Sequence, residues 1–167
     1  MKSNTPIYIG LAVLAFFVLD SFTNDDNSSN DTIADFSTLT NDESDLQRLD
    51  AVYEALQRNG FSGLGLKFAM AQILVESGIL TNVANYHLMD DYHNYAGLTS
   101  VNGGYANYPN LDAFAHAYYG FLTKKSNPLG ASSISDFNNR LVANHYYTDS
   151  PVTYGKNLAY YFNALNG

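Results

Sequence analysis

The chain of 167 residues contains no cysteine and no tryptophan. Without cysteine there are no disulfides, no thiolate–metal sites and no cysteine nucleophile. That removes cysteine–histidine nucleophilic catalysis. Glutamate is also scarce. Between Gln57 and the C-terminus the single example is Glu76. No Gly-x-Ser-x-Gly run is present, which argues against a serine hydrolase of the nucleophile-elbow type. Basic residues are few, eight against sixteen acidic ones, and they form no stripe of the kind that nucleic-acid binding needs.

The net charge of −8 is unevenly spread. Nine of the acids, but only Lys2 and Arg48 among the bases, lie in residues 1–50. From residue 51 onward seven acids meet six bases, so the acidity belongs to the leader and the remainder is close to neutral. Tyrosine is the residue in excess: thirteen of the fourteen follow residue 50. A tyrosine supplies both an aromatic face and a hydroxyl, the two features that sugar-binding clefts use. At any single position it serves equally well as a phenylalanine substitute at the edge of a small core.

Three segments follow from composition. Pro6 to Leu19 is uncharged and mostly apolar, and continued to Phe22 it reaches roughly 25 Å as a helix. Residues 1–22 are therefore read as a membrane anchor, with residues 6–22 in the lipid bilayer. A cleaved secretory signal is the rival reading, but Val18-Leu19-Asp20-Ser21 lacks a small-x-small cleavage pattern. Lys2 on one side and an acidic stretch on the other place the C-terminal part outside the cytoplasm. Residues 23–45, rich in Asn, Asp, Ser and Thr, have too little apolar content to order themselves and read as a flexible acidic linker. Residues 46–167 form the domain, and a chain beginning near residue 45 is expected to be soluble and active.

Within the domain, Leu46, Leu49, Val52, Tyr53 and Leu56 recur at helical spacing up to Gly60. Ser62 caps a second helix whose apolar stripe is Leu66, Ala69, Met70, Ile73 and Leu74. Between about 80 and 110 the helical period disappears, and Asn102-Gly103-Gly104 between Tyr105 and the preceding residues reads as a small hairpin. Asn110 caps a helix through Leu122, and two more are expected near Ser133–Ala143 and Thr153–Leu165. The expectation is an α+β, mostly α fold with a small β-hairpin lobe between the second and third helices.

Glu76 is the leading chemical candidate. On the second helix it falls about 80–90° from the centre of the apolar stripe, beside Gln72. A boundary carboxyl is partly desolvated, and Gly78 places it near the negative end of the helix dipole. Both effects favour the protonated form that a general acid needs. An exposed last-turn glutamate is the bland alternative. His87-Leu88-Met89-Asp90-Asp91-Tyr92-His93 groups possible metal ligands, but its spacing matches no helical ligand pair, and no metal or other cofactor is expected. Gly60-Phe61-Ser62-Gly63-Leu64-Gly65 lacks the Lys-Ser/Thr ending of a phosphate loop, and turn and cap chemistry accounts for it.

Four motifs, in order, carry a resemblance: Ala71-Gln72-x-x-x-Glu76-Ser77-Gly78, His93-Asn94-Tyr95-Ala96-Gly97-Leu98, Tyr108-Pro109-Asn110-Leu111-Asp112-Ala113-Phe114, and Tyr146-Tyr147-Thr148-Asp149 followed by Tyr154 and Leu158. Through them residues 65–162 resemble the glucosaminidase family of peptidoglycan hydrolases, glycoside hydrolase family 73 of the lysozyme-like superfamily. The resemblance implies a lysozyme-like domain acting on peptidoglycan glycan strands, with Glu76 as general acid and Tyr146 lining the catalytic centre. Asn94, Tyr95, Tyr108 and Tyr154 are the substrate-binding residues it suggests. Many members of that family carry a second carboxylate in the β lobe. Here no glutamate follows Glu76, and the nearby acids are Asp90, Asp91 and Asp112. One carboxylate leaves two schemes: the substrate's acetamido group as nucleophile, or Glu76 acting as acid and then as base, as in a lytic transglycosylase. Wall remodelling and phage lysis or entry both fit such an enzyme, in the cell envelope or, if phage-encoded, in a virion membrane. The alternative from another class is a non-catalytic glycan-binding or structural ectodomain.

Overall fold

The structure, a computed structural model, describes residues 35–81, 84–147 and 150–166. Six α-helices account for more than half of the described residues: α1 (Glu43–Arg58), α2 (Gly63–Ser77), α3 (Tyr86–Asp90), α4 (Leu111–Leu122), α5 (Ile134–Ala143) and α6 (Pro151–Ala164). Single 3-10 turns occupy Phe36–Thr38 and Pro128–Gly130. The fold is mostly helical, as its periodicity implies. The membrane-anchor reading of residues 1–22 lies outside the described residues, among which no helix is long and apolar enough to cross a membrane.

Helix α2 is the axis of the domain. Its sequence, GLGLKFAMAQILVES, is apolar on every face rather than on one stripe, and such a helix belongs in a protein interior. Ten of its fifteen residues are buried, with Phe68, Ala69, Met70, Ala71, Ile73 and Leu74 fully so. Burial of each of the large side chains contributes about 1.5–3 kcal/mol. Even Lys67 is covered, its Nζ donating to Asn166 Oδ1 at 2.8 Å. Helix α6 packs along α2, α4 packs against α1, and α5 closes on α6. Phe68 stacks on Phe137 of α5 at 5.2 Å, and Phe114 stacks on Tyr118 at 5.5 Å within α4. The one-sided stripe expected for α2 is thus a surface continued all round, and Glu76 at its end faces packed protein.

Helix ends follow local chemistry. Asn110 accepts from Ala113 N at 2.9 Å and Ser133 from Asp136 N at 3.1 Å, each satisfying an orphan donor. Ser62 stands at the N-cap of α2 with extended backbone but without a side-chain cap bond. Gly78 ends α2 in the left-handed region, φ 62°, where glycine carries no Cβ penalty.

Three expectations change. The hairpin lobe is reduced to one antiparallel bridge, Thr99 with Tyr105, flanked by Ser100 N→Gly104 O at 2.9 Å and Ala106 N→Leu98 O at 2.8 Å. The ladder stops because Asn94 takes over its base: Asn94 Nδ2 donates to both Leu98 O and Ala106 O, at 2.8 and 2.9 Å. A five-residue helix, α3, also lies where no helical period is visible, being too short to display one. Upstream, the packed domain begins before residue 46. Phe36 is 5% exposed and meets the Tyr53 ring edge-on at 5.8 Å, while Asp42 caps α1 through Ser44 N and Asp45 N. The end of the expected linker is therefore part of the folded unit.

Candidate active site

Glu76 occupies the last turn of α2, partly buried, where α4, α6, the Tyr146 segment and the bridged loop converge on it. Desolvation dominates its electrostatics and pushes the carboxyl up from 4.5 to about 7, with a hydrogen bond from Tyr154 pulling the other way. Tyr154 Oη donates to Glu76 Oε1 at 2.5 Å. The second oxygen, Oε2, faces Gly97: a Cβ placed on that glycine would stand 3.7 Å from it. Gly97 has φ +61°, so its loop turns beside the carboxyl in a conformation that suits glycine. Replacing Gly97 with alanine forces a left-handed alanine at a cost of about 1–2 kcal/mol and sets a methyl against Oε2. We expect Gly97→Ala to lower the melting temperature modestly, read by calorimetry.

Behind the carboxyl lies a buried set of hydroxyls. Tyr118 Oη donates to Gln72 Oε1 at 2.6 Å, and Gln72 Nε2 reaches Tyr154 Oη at 3.5 Å. Tyr146 Oη donates to the Ala96 carbonyl at 2.5 Å. Burial, and after it the Glu76 charge, raises the phenols of Tyr118, Tyr146 and Tyr154 well above their ordinary value, so all three are neutral donors. Tyr105, from the bridge, also feels burial first and the Glu76 charge second. No described charged side chain contributes to the Glu76 shift.

The sequence-derived residues separate on this map. Glu76, Tyr146 and Tyr154 come together. Tyr146 does so as a brace, since its proton goes to Ala96 and its ring meets Phe121 at 5.3 Å. Tyr154, 7% exposed with its ring stacked on Tyr147 at 3.9 Å, holds Glu76 where an open substrate contact was expected. Asn94 is buried with both amide protons engaged and its Oδ1 accepting from Leu98 N at 2.9 Å, so its side chain pins the loop. Tyr95 is turned elsewhere. Its phenol, pushed up to about 12 by burial, responds to Asp90 and Arg48 and lines a shallow depression with Ser44, Gln47 and Ala51. Tyr108 packs its ring on Phe114 at 5.7 Å, and its carbonyl takes His93 Nδ1 at 2.9 Å.

The aspartates that could replace a second acid are paired elsewhere: Asp90 with Arg48, Asp91 with His87, and Asp112 with Arg58. No group of three or more potential ligands gathers for a metal among the described residues.

Sequence reading missed Tyr118, hidden in the apolar pattern of α4, and Tyr105, which looked like a hairpin flank. Gln72 was visible only as the residue one turn before Glu76. Tyr146→Phe strips the donor from the Ala96 carbonyl, itself buried, at a cost of about 1–3 kcal/mol, and loosens the Gly97 loop. We expect Tyr146→Phe to lower the melting temperature, read by calorimetry. A larger defect in Tyr147→Phe, whose hydroxyl bonds Asn138 instead, would show that the wrong tyrosine had been assigned. No protein-family model, curated protein or solved structure matches this chain.

Proposed function

We propose that this protein cleaves the glycan strands of bacterial peptidoglycan by general acid catalysis from Glu76, on a lysozyme-like domain tethered outside the cytoplasm by its N-terminal segment. The observation that carries the reading is a lone carboxyl with a pKa near 7, one oxygen fixed by a tyrosine and the other facing a glycine loop. A carboxylic acid protonated near neutral pH can give its proton to a glycosidic oxygen as the bond to the anomeric carbon breaks. The surrounding neutral phenols tolerate that site without supplying a competing charge.

The absence of a second carboxylate acting on Glu76 among the described residues favours chemistry with one protein acid. In one route the acetamido oxygen of the substrate attacks the anomeric carbon, and water later opens the cyclic intermediate. In the other, ionised Glu76 takes a proton from a muramic acid hydroxyl, which closes on the anomeric carbon to give an anhydro end. The same absence gives weight to a glycan-binding module that has lost its chemistry. A zymogram on purified walls, run beside co-sedimentation, separates them: clearing supports the enzyme, and binding without clearing supports the module.

A further inference from the structure

The hydroxyls around Gln72 fix which way its amide points. The Ala96 carbonyl can only accept, so Tyr146 gives its single proton there, at 2.5 Å. Tyr154 gives its proton to Glu76 Oε1, also at 2.5 Å. Both phenol oxygens then have only lone pairs left for other partners. The side chain near them is Gln72, whose Nε2 lies 3.5 Å from Tyr154 Oη and whose amide also acts on the Tyr146 hydroxyl. Lone pairs need the NH2 end of the amide, and that turns the carbonyl end toward Tyr118, whose hydroxyl donates to it at 2.6 Å. No buried side-chain polar atom among the described residues lacks a partner, so the arrangement is complete.

We propose that Gln72 is a positioning residue that sets the donor direction of the chain Tyr118→Gln72→Tyr154→Glu76, keeping Glu76 Oε1 an acceptor and leaving the transferable proton on Oε2 beside Gly97. The proposal rests on the reading of Glu76 as the general acid. With the amide reversed, the Gln72 carbonyl would compete with Glu76 for the Tyr154 proton. Oε1 would then lose its donor, and the acid's proton would distribute over both oxygens. Tyr118 acts at one remove, because its proton is what holds the Gln72 carbonyl in place. The titratable groups facing Glu76 from the packed elements are Tyr118 on α4, Tyr154 on α6, Tyr146 before α6 and Tyr105 on the bridge, all neutral.

The chain has only three glutamates, Glu43, Glu54 and Glu76, so carboxyl-13C-glutamate labelling gives three resonances to follow with pH. The full chain is titrated by NMR, with Glu76→Gln identifying the site. Tyr154→Phe should move the Glu76 titration upward by about one pH unit, since a donor to the charged form is lost. Gln72→Met should move it in the same direction by a smaller amount, because Tyr154 loses the amide donor that polarises its hydroxyl toward Oε1, and the double variant should move it no further than Tyr154→Phe alone. An unmoved titration in Gln72→Met, or additive shifts, overturns the proposal. If Gln72→Met does not fold, Tyr118→Phe decides: an upward shift supports the chain and an unchanged midpoint overturns it. Wall clearing is scored separately. Shifts of the expected pattern in a protein that never clears walls would keep the hydrogen-bond chain and remove the glycan-cleaving reading.

Discussion

Glu76→Gln is expected to reduce glycan cleavage by about 10²–10⁴, the usual loss when a general acid is removed, while leaving the fold and wall binding in place. Glutamine preserves the shape of the side chain, and its carbonyl can still accept from Tyr154, as Glu76 Oε1 does. What it lacks is a dissociable proton. Activity within about tenfold of the wild type would refute the assignment. The same variant carries a second signature, independent of substrate. Glu76 has a folded pKa of about 7 against 4.5 unperturbed, so the folded state holds more protons than the unfolded one between those values. Wild-type stability must therefore fall as pH rises through that window and level off above it. Glutamine does not titrate, so Glu76→Gln should gain on the wild type from pH 5 to pH 8, by about 1–3 kcal/mol for a partly buried carboxyl. Cleavage itself should decline above about pH 7 as the acid ionises.

A chain beginning at residue 45 is expected to lose about 3–5 kcal/mol of stability relative to one beginning at residue 35. The shorter chain loses Phe36, buried against Tyr53, and Asp42, which caps α1 through two backbone donors. For a domain whose total stability is about 5–15 kcal/mol, that loss is large. Denaturant unfolding of the two truncations, with Phe36→Ala in the longer one, measures it. Equal midpoints would mean that the segment before α1 adds no stability. The acidic, polar composition of residues 23–45 conceals this contact, because one phenylalanine among asparagines and aspartates is no pattern. A hydrophobic anchor needs only one residue, whereas periodicity needs several.

The helices that were legible are the ones with long periodic runs and unambiguous caps, such as α4 behind Asn110 and α5 behind Ser133. Glu76 was legible as well, because it is a single glutamate in a long stretch without others. The surroundings of Glu76 were not. Tyr118 sits in α4 at an apolar position, and nothing local distinguishes a hydroxyl that bonds Gln72 forty-six residues away from a ring that fills space. Asn94 looked like a polar group offered to a substrate, yet its amide closes the base of the bridged loop through three bonds. Tyr95, its neighbour, faces Arg48 and Asp90 instead of Glu76. Motif order along the chain carries no information about which way each side chain turns. That is set by tertiary packing, here by an α2 with ten of its fifteen residues buried, whose last turn meets α4, α6, the Tyr146 segment and the bridged loop.

The central claim is that the bond broken is glycosidic and that a single carboxylic acid breaks it. Mass spectrometry of the fragments released from purified peptidoglycan tests this most directly. The expected result is saccharide fragments with intact peptide stems and either reducing or anhydro ends, absent from the Glu76→Gln digest. Cut peptide stems on uncut glycan, or the same saccharide fragments from Glu76→Gln, would contradict it.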